Sequence, residues 1–210
     1  MQIINVMAAS LDGKIALHDD ESDAARRAYG FTNKDDQDFV RSMLESADAV
    51  VTGAKSLRAS GAAWQVRNHK GQLPAWVVLT TRGISSSLRF WDQVDTERWL
   101  VSPQPLDMSN SQGVKNLCYG AADPVIFTAD ALRAAGFSTV LLFGGGEINR
   151  MFYQAGLVDE LRLTICPIIL ARNGASNLVE PQLDTPVKFQ LESSHVAGSL
   201  VFLKYTVLKS

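Results

Sequence analysis

The stretch from Thr139 to Asn149 reads TVLLFGGGEIN, and no other part of the chain restricts the fold as tightly. Val140, Leu141, Leu142 and Phe143 form an uncharged run of the kind a strand covered on both faces needs. The run stops at Gly144, Gly145 and Gly146, which lack a Cβ and so can take left-handed backbone angles and let a ligand reach the main chain. From Glu147 onward the residues return with helical spacing, so the glycines join a buried strand to a helix N-terminus. Free amide N–H groups and the helix dipole there favour an anion such as a pyrophosphate. Consecutive glycines match neither the spaced dinucleotide fingerprint nor the phosphate loop that ends in Lys-Ser/Thr, and a tight turn without a ligand would look the same.

A second junction of this kind follows the strand Ala49-Val50-Val51-Thr52. Gly53-Ala54-Lys55-Ser56 leads straight into another helical turn, with a lysine and a hydroxyl within reach of a phosphate. Pro74 opens a strand at Ala75 to Leu79 that ends in Thr80-Thr81-Arg82-Gly83. Hydroxyls and a guanidinium at a strand end can hold a ribose phosphate, or can form a solvated surface turn.

At the front of the chain, Gln2 to Ala9 reads as a buried strand that runs into Ser10-Leu11-Asp12-Gly13-Lys14. Asp-Gly signals a turn into a short strand at Ile15 to Leu17. The same turn places a hydroxyl, a carboxylate and an ammonium at the sheet edge, where open α/β folds bind ligands. His18 to Phe31 reads as a surface loop, whose Arg26 and Arg27 either meet a substrate phosphate or are solvated. Thr32 or Asn33 caps a helix that Asp48 closes. Phe39, Val40, Met43, Leu44 and Ala47 form its sheet-facing side, which leaves Asp36, Asp38 and Glu45 mostly on the polar face.

Further strands are expected at Trp99 to Val101 and Asn116 to Tyr119, and a helix at Thr128 to Ala135. Beyond Gly156 the pattern changes to alternation at Glu160 to Ile165, Val187 to Ser193 and Leu200 to Leu208. Ile168 to Leu170 resumes the first of these after Pro167. This is antiparallel hairpin patterning appended to a parallel sheet. No repeat or linker divides the chain, so residues 1–210 are expected to form one domain.

The formal net charge of −2 supplies no basic field for nucleic acid or anionic lipid, so any anion must be bound locally. Two cysteines, Cys118 and Cys166, and three scattered histidines form no metal-ligand pattern. The N-terminal apolar run is too short and lacks the basic lead of a signal peptide, and no stretch reaches membrane-spanning length. A cytoplasmic location is therefore expected.

With these pieces in order, the sequence resembles the reductase domain of the riboflavin pathway, the RibD C-terminal family, within the wider dihydrofolate reductase-like fold. The matching residues are Ala8 to Ala16, Ala47 to Gly53, Leu142 to Asn149, Gly156 to Leu161 and Cys166 to Leu170. The resemblance implies an α/β fold built as a three-layer α/β/α sandwich, a mixed sheet with an antiparallel C-terminal hairpin, NADPH as cofactor, and a homodimer. It assigns Ala9, Gly53, Ser56, Thr80, Thr81 and Arg82 to the cofactor, together with Gly144, Gly145, Gly146, Glu147, Ile148 and Asn149. Ser10 and Phe143 fall on the substrate side, and Asp12 and Lys14 are the candidates for steering charge or protons. The implied reaction reduces 5-amino-6-(5-phosphoribosylamino)uracil, or its aminated precursor, to the ribityl form by hydride transfer to C1′ of the ring-opened imine.

Two departures from that family mark the substrate side. Phe143 stands where a glutamate usually precedes the glycines, and Arg58-Ala59-Ser60-Gly61-Ala62 replaces an acidic residue and proline. A zinc deaminase domain is not expected, because the chain opens on the first reductase strand. Two other functions fit the same residues: reduction of a pterin, folate or other carbonyl or imine, and nucleotide binding without catalysis.

Overall fold

A computed structural model describes residues 1–19, 21–107 and 113–209. In chain order the strands are β1 (Gln2–Ser10), β2 (Lys14–Ala16), β3 (Ala49–Gly53), β4 (Ala75–Leu79), β5 (Arg98–Ser102), β6 (Val114–Cys118), β7 (Thr139–Leu142), β8 (Glu160–Cys166), β9 (Ser176–Asn177), β10 (Lys188–Ala197) and β11 (Leu200–Leu208). The helices are α1 (Asp23–Ala28), α2 (Lys34–Leu44), α3 (Ala54–Ser60), α4 (Pro124–Ala134) and α5 (Gly146–Gln154). Among the described residues nine strands make one sheet in the order β10-β11-β8-β1-β7-β3-β4-β5-β6, and β2 pairs with β9 beside it. From β8 to β6 every pairing is parallel, whereas β11 is antiparallel to β8 and β10 to β11.

Period-two alternation along the central strands builds two cores. Val51, Val77, Val101, Val140 and Leu142 face Val125 and Leu132 of α4 and Phe152 and Tyr153 of α5. Val50, Trp76, Val78, Leu100 and Leu141 face Met43 and Leu44 of α2 and Leu57 of α3. Helices on both faces of a mostly parallel sheet give the α/β, three-layer arrangement, with β8, β10 and β11 forming its antiparallel margin. No helix among the described residues is long and apolar enough to cross a membrane.

Four local expectations are revised. Residues 18–31 contain a helix, α1, because Ser22 accepts the Ala25 N–H at its start and Phe31, 1% exposed, anchors its exit in a cluster with Cys166, Leu200 and Phe202. α4 begins at Pro124 because Asp123 caps the Val125 and Ile126 amides, and proline at the first helical position needs no N–H partner. Residues 168–170 form no strand. The Leu170 and Ala171 N–H groups go to the Asp12 carboxylate instead of a ladder, and Ile169 is exposed. α2 ends at Leu44, and Asp48 lies beyond it as a clamp between strands.

Asp48 Oδ2 accepts the Ser138 and Thr139 amides at 2.8 and 3.0 Å, and its Oδ1 accepts from the Lys70 ammonium at 2.5 Å. Burial opposes ionisation, but Lys70 and the two amides outweigh it and hold the carboxyl below its ordinary value. Asp48→Ala leaves those amides without their acceptor and is expected to cost about 1–3 kcal/mol at neutral pH. A carboxyl lowered by folding stabilises above its unfolded pKa of 3.8 and loses that contribution as pH falls through the folded value. Urea melts of wild type and variant should therefore converge at acid pH; a constant gap down to pH 2 would refute the ionic part of the clamp.

Candidate functional site

The sheet brings the two glycine junctions side by side. β3 and β7 are parallel neighbours, with Val50 opposite Leu141 and Val51 opposite Leu142, so both chains leave the same sheet edge. There the Gly53 N–H donates to the Gly144 carbonyl at 2.8 Å, and the Thr52 hydroxyl donates to the same oxygen at 3.2 Å. Ser56, in the first turn of α3, accepts the Gly145 N–H at 2.7 Å. A Cβ on Gly53 would stand 2.9 Å from Ile148 Cγ1, so the junctions touch because glycine is there. Neither α3 nor α5 has a side-chain cap, which leaves first-turn amides for another acceptor.

These junctions form one wall of a cavity of about 710 Å³. That lies within the ~300–1,000 Å³ usual for small-molecule and cofactor sites. Gly53, Ser56, Thr80, Thr81, Arg82, Phe143, Gly145, Gly146, Glu147 and Ile148 all line it. Thr80 shapes the turn after β4 by donating its hydroxyl to the Gly83 carbonyl at 2.7 Å. Thr81 and Arg82 are exposed, and Arg82 makes no side-chain hydrogen bond or ion pair among the described residues. Phe143 packs edge-on against Trp76, with ring centroids 6.0 Å apart. The buried Trp76 indole N–H has no acceptor among the described residues.

The other residues read from the sequence do not line the cavity. Gly144, with φ +65°, fits against Asn149, whose Oδ1 would stand 2.6 Å from a Cβ at 144. Asn149 is fully buried; its Nδ2 donates to Leu178 O at 2.8 Å and its Oδ1 accepts from Asn5 at 3.0 Å. Ala9 is buried inside β1. The Ser10 hydroxyl donates to Asp12 at 2.6 Å and accepts the Lys14 N–H at 2.9 Å. Asp12 also receives the Ala171 and Leu170 N–H groups. The Ser10 hydroxyl and those amides hold its carboxyl down at about 2, against the opposing effect of desolvation. The Lys14 ammonium donates to Asn177 Oδ1 at 2.7 Å across the β2–β9 pair, next to the lining residues Ile15, Ala16 and Ser176.

The same cavity is lined by a residue that was expected on the polar face of its helix. Asp36, at the start of α2, is 6% exposed and lines the cavity. Burial raises its pKa, while a hydrogen bond from the Thr164 hydroxyl and the charge of Arg26 act the other way. Asn33 fixes its place by accepting the Asp36 N–H at 3.2 Å. Of the first turn of α2, Asp36 and Gln37 line the cavity, while Lys34 and Asp35 are exposed. Asp38, two residues on and therefore on the other side of the helix, is exposed and paired with Lys34. Helical spacing separates the two: Asp36 precedes Phe39, Val40 and Met43 by three, four and seven residues and shares their sheet-facing side, whereas Asp38 does not. Among the described residues no group of His, Cys, Asp or Glu could hold a metal ion.

The RibD C-terminal domain profile matches residues 1–203. The chain belongs to the RibD C-terminal domain family. Its relatives include an Aquifex aeolicus protein named 2,5-diamino-6-ribosylamino-4(3H)-pyrimidinone 5′-phosphate reductase, 21% identical over 221 residues covering 98% of this chain and 96% of that one. A pyrimidine reductase-like protein from Corynebacterium diphtheriae superposes with a TM-score of 0.80 at 18% identity, over 100% of this chain and 92% of its own. Dihydrofolate reductase from Enterococcus faecalis, solved with NADP(H), superposes at 0.60 and 13% identity over 99% of this chain and 97% of its own, which shows a shared fold.

Within this RibD C-terminal domain the glycines differ in what they touch. A Cβ at Gly146 would lie 2.4 Å from the Asn177 carbonyl oxygen, which is backbone, whereas at Gly145 the nearest atom is Ser56 Oγ at 3.3 Å. Gly146→Ala is expected to destabilise by roughly 1–3 kcal/mol as an overpacked contact, and Gly145→Ala by less. Thermal melts of the two variants check this order, and equal losses would overturn it.

Proposed function

We propose that this chain is an NADPH-dependent reductase of a ribosylaminopyrimidine 5′-phosphate. Its substrate is 2,5-diamino-6-ribosylamino-4(3H)-pyrimidinone 5′-phosphate or the deaminated uracil counterpart, converted to the ribityl form. The reading is carried by one observation: two clasped strand-to-helix junctions and a buried carboxylate line a single cavity. NADPH, when bound, supplies the hydride.

The residues present fit that cofactor. Gly53, Gly145 and Gly146 bring bare backbone to the cavity wall, and the uncapped first turns of α3 and α5 offer amides for a pyrophosphate. Arg82, with Thr81 beside it, offers a guanidinium fork to the 2′-phosphate that separates NADPH from NADH. Gly144 and Asn149 serve the same site from behind by fixing the turn. The apolar Phe143–Trp76 pair keeps water from the middle of the cavity. Asp12 acts as a loop clamp, and Lys14 stands at the rim as the cation that can be released from Asn177 toward substrate. We further propose a cytoplasmic homodimer, supported by the exposed edge strand β10 with Leu191 and Val196 outward.

Asp36 bears on the ring. A buried carboxylate gains most from two adjacent N–H donors, such as the 2-amino group and ring N–H of a 2-aminopyrimidin-4-one, and a 2-oxo ring would present a carbonyl there instead. This favours the diamino substrate over the uracil. It also keeps a second reading open, because a pterin carries the same edge.

NADPH oxidation with the diamino substrate, the uracil and dihydrofolate decides among these. The diamino compound should turn over best, and Asp36→Asn should lower its kcat/KM by ~10²-fold or more. No turnover with any of them would leave nucleotide binding without catalysis. Arg82→Ala should weaken NADPH by about tenfold or more while sparing NADH; equal affinity of the wild type for both would remove Arg82 from the 2′-phosphate.

A further inference from the structure

Glu21 is a second buried acid on the cavity wall, and only half of its carboxylate is in use. The residue is 4% exposed and lines the cavity. Its Oε2 accepts the Leu17 N–H at 2.8 Å and the Tyr29 hydroxyl at 3.0 Å. Burial and the bond to Glu21 push the Tyr29 phenol well up, so Tyr29 stays a donor. Those two bonds take both lone pairs of Oε2 and fix the side chain. Oε1 accepts nothing among the described residues, and it is not sealed off as the orphaned Trp76 N–H is. A free acceptor of this kind, on a buried residue that lines a cavity, opens onto that cavity.

The surroundings place Glu21 in the same corner as Asp36. Tyr29 and Phe39 pack on one apolar cluster, that of Phe31, Cys166 and Phe202. Phe39 comes three residues after Asp36 in α2, and Cys166 two residues after Thr164 in β8, whose hydroxyl donates to Asp36. Arg26 is near enough to act on the charge of both Asp36 and Tyr29. Two carboxylates in one corner disfavour a phosphate there and suit uncharged O–H or N–H donors. The two acids differ in what they can hold. A fork to adjacent N–H donors, of the kind assigned to Asp36, needs both oxygens of a carboxylate. Glu21 has one oxygen left, and its two lone pairs suit one hydroxyl or two neighbouring ones.

We infer that Glu21 holds the sugar chain of the ligand, its free oxygen accepting from hydroxyl groups of the ribosyl or ribityl part while the ring lies on Asp36. The identity of that ligand rests on the reductase reading. The free acceptor itself does not.

Glu21→Gln separates binding from folding. The amide oxygen keeps the Leu17 and Tyr29 bonds, and an NH2 replaces the charged acceptor that faces the cavity. Glu21→Ala strands both donors instead. Thermal melts of the full chain should place Glu21→Gln within about 4 °C of wild type and Glu21→Ala below it. The ribitylaminopyrimidine 5′-phosphate product and its 2′-, 3′- and 4′-deoxy analogues are then titrated calorimetrically into wild type and Glu21→Gln. At least one deoxy analogue should bind wild type ~10- to 100-fold more weakly than the product. The same omission should cost Glu21→Gln about fivefold or less, because a neutral contact replaces a charge-assisted one.

Three deoxy analogues that bind wild type as well as the product does, or an undiminished loss in Glu21→Gln, overturn the inference. Failure of wild type to bind the product overturns it together with the reductase reading. NADPH oxidation tells the two apart. Hydroxyl-dependent binding through Glu21 without oxidation keeps the sugar contact and removes the reductase, whereas oxidation without that dependence removes the role of Glu21 alone.

Discussion

A pair of buried asparagines holds the site in shape. Asn5 Nδ2 donates to Leu142 O at 2.8 Å and to Asn149 Oδ1 at 3.0 Å, and its Oδ1 accepts the Tyr153 hydroxyl at 3.1 Å. Asn149 donates onward to Leu178 O. The middle of β1, the end of β7, two turns of α5 and the segment before Pro181 are thus tied at one point. Both asparagines are fully buried, and every one of these contacts is made in a low-dielectric interior where an unmade one is costly. The positions of Gly144, Gly145 and Gly146 follow from it: Gly144 lies against Asn149, and the carbonyl it presents to Gly53 and Thr52 points where the network leaves it.

That network also explains the glycines better than ligand access alone. Gly144 and Gly146 are surrounded by protein, one by the Asn149 amide and the other by the Asn177 carbonyl. Gly53 and Gly145, which have near contacts to Ile148 and Ser56, line the cavity together with Gly146, and there the backbone approaches the open volume. Backbone brought to a cavity wall needs a rigid support behind it, because a donor that can drift by an ångström no longer favours one ligand geometry. Gly144 therefore belongs to the support, Gly53 and Gly145 to the surface, and Gly146 to both.

Much of this was legible in the sequence because it obeys a period. The uncharged runs at β3, β4 and β7 specify buried parallel strands, and the alternation after Gly156 specifies the antiparallel margin. Asn5 and Asn149 were not legible, since a polar side chain inside a periodic segment carries no mark of whether water, protein or a cavity lies opposite. Asn149 sat in a stretch that suggested a ligand and turned out to be buried among protein groups. Asp36 was expected on the polar face, yet its spacing to Phe39, Val40 and Met43 puts it on the sheet-facing side, where it lines the cavity. The loop at 168–170 failed for a related reason: its amides are taken by Asp12, more than 150 residues earlier, in contacts no local pattern encodes.

The charge of the cavity sets the last constraint. Asp19, Glu21, Asp23, Asp36, Glu147 and Glu180 line it, so the field inside is not basic and cannot gather anions at long range. Several of these acids are neutralised locally or occupied by protein donors: Asp19 by Lys55, Asp23 by Arg26, and one oxygen of Glu21 by the Leu17 N–H and the Tyr29 hydroxyl. What remains for a ligand is short-ranged and directional, namely glycine-lined amides, the guanidiniums of Arg27 and Arg82, the Asp36 carboxylate and the other oxygen of Glu21. A polyanion entering such a space is held only where its charges coincide with those donors, so correct placement and affinity become the same event. A uniformly positive cavity would bind the same phosphates more tightly and position them less well.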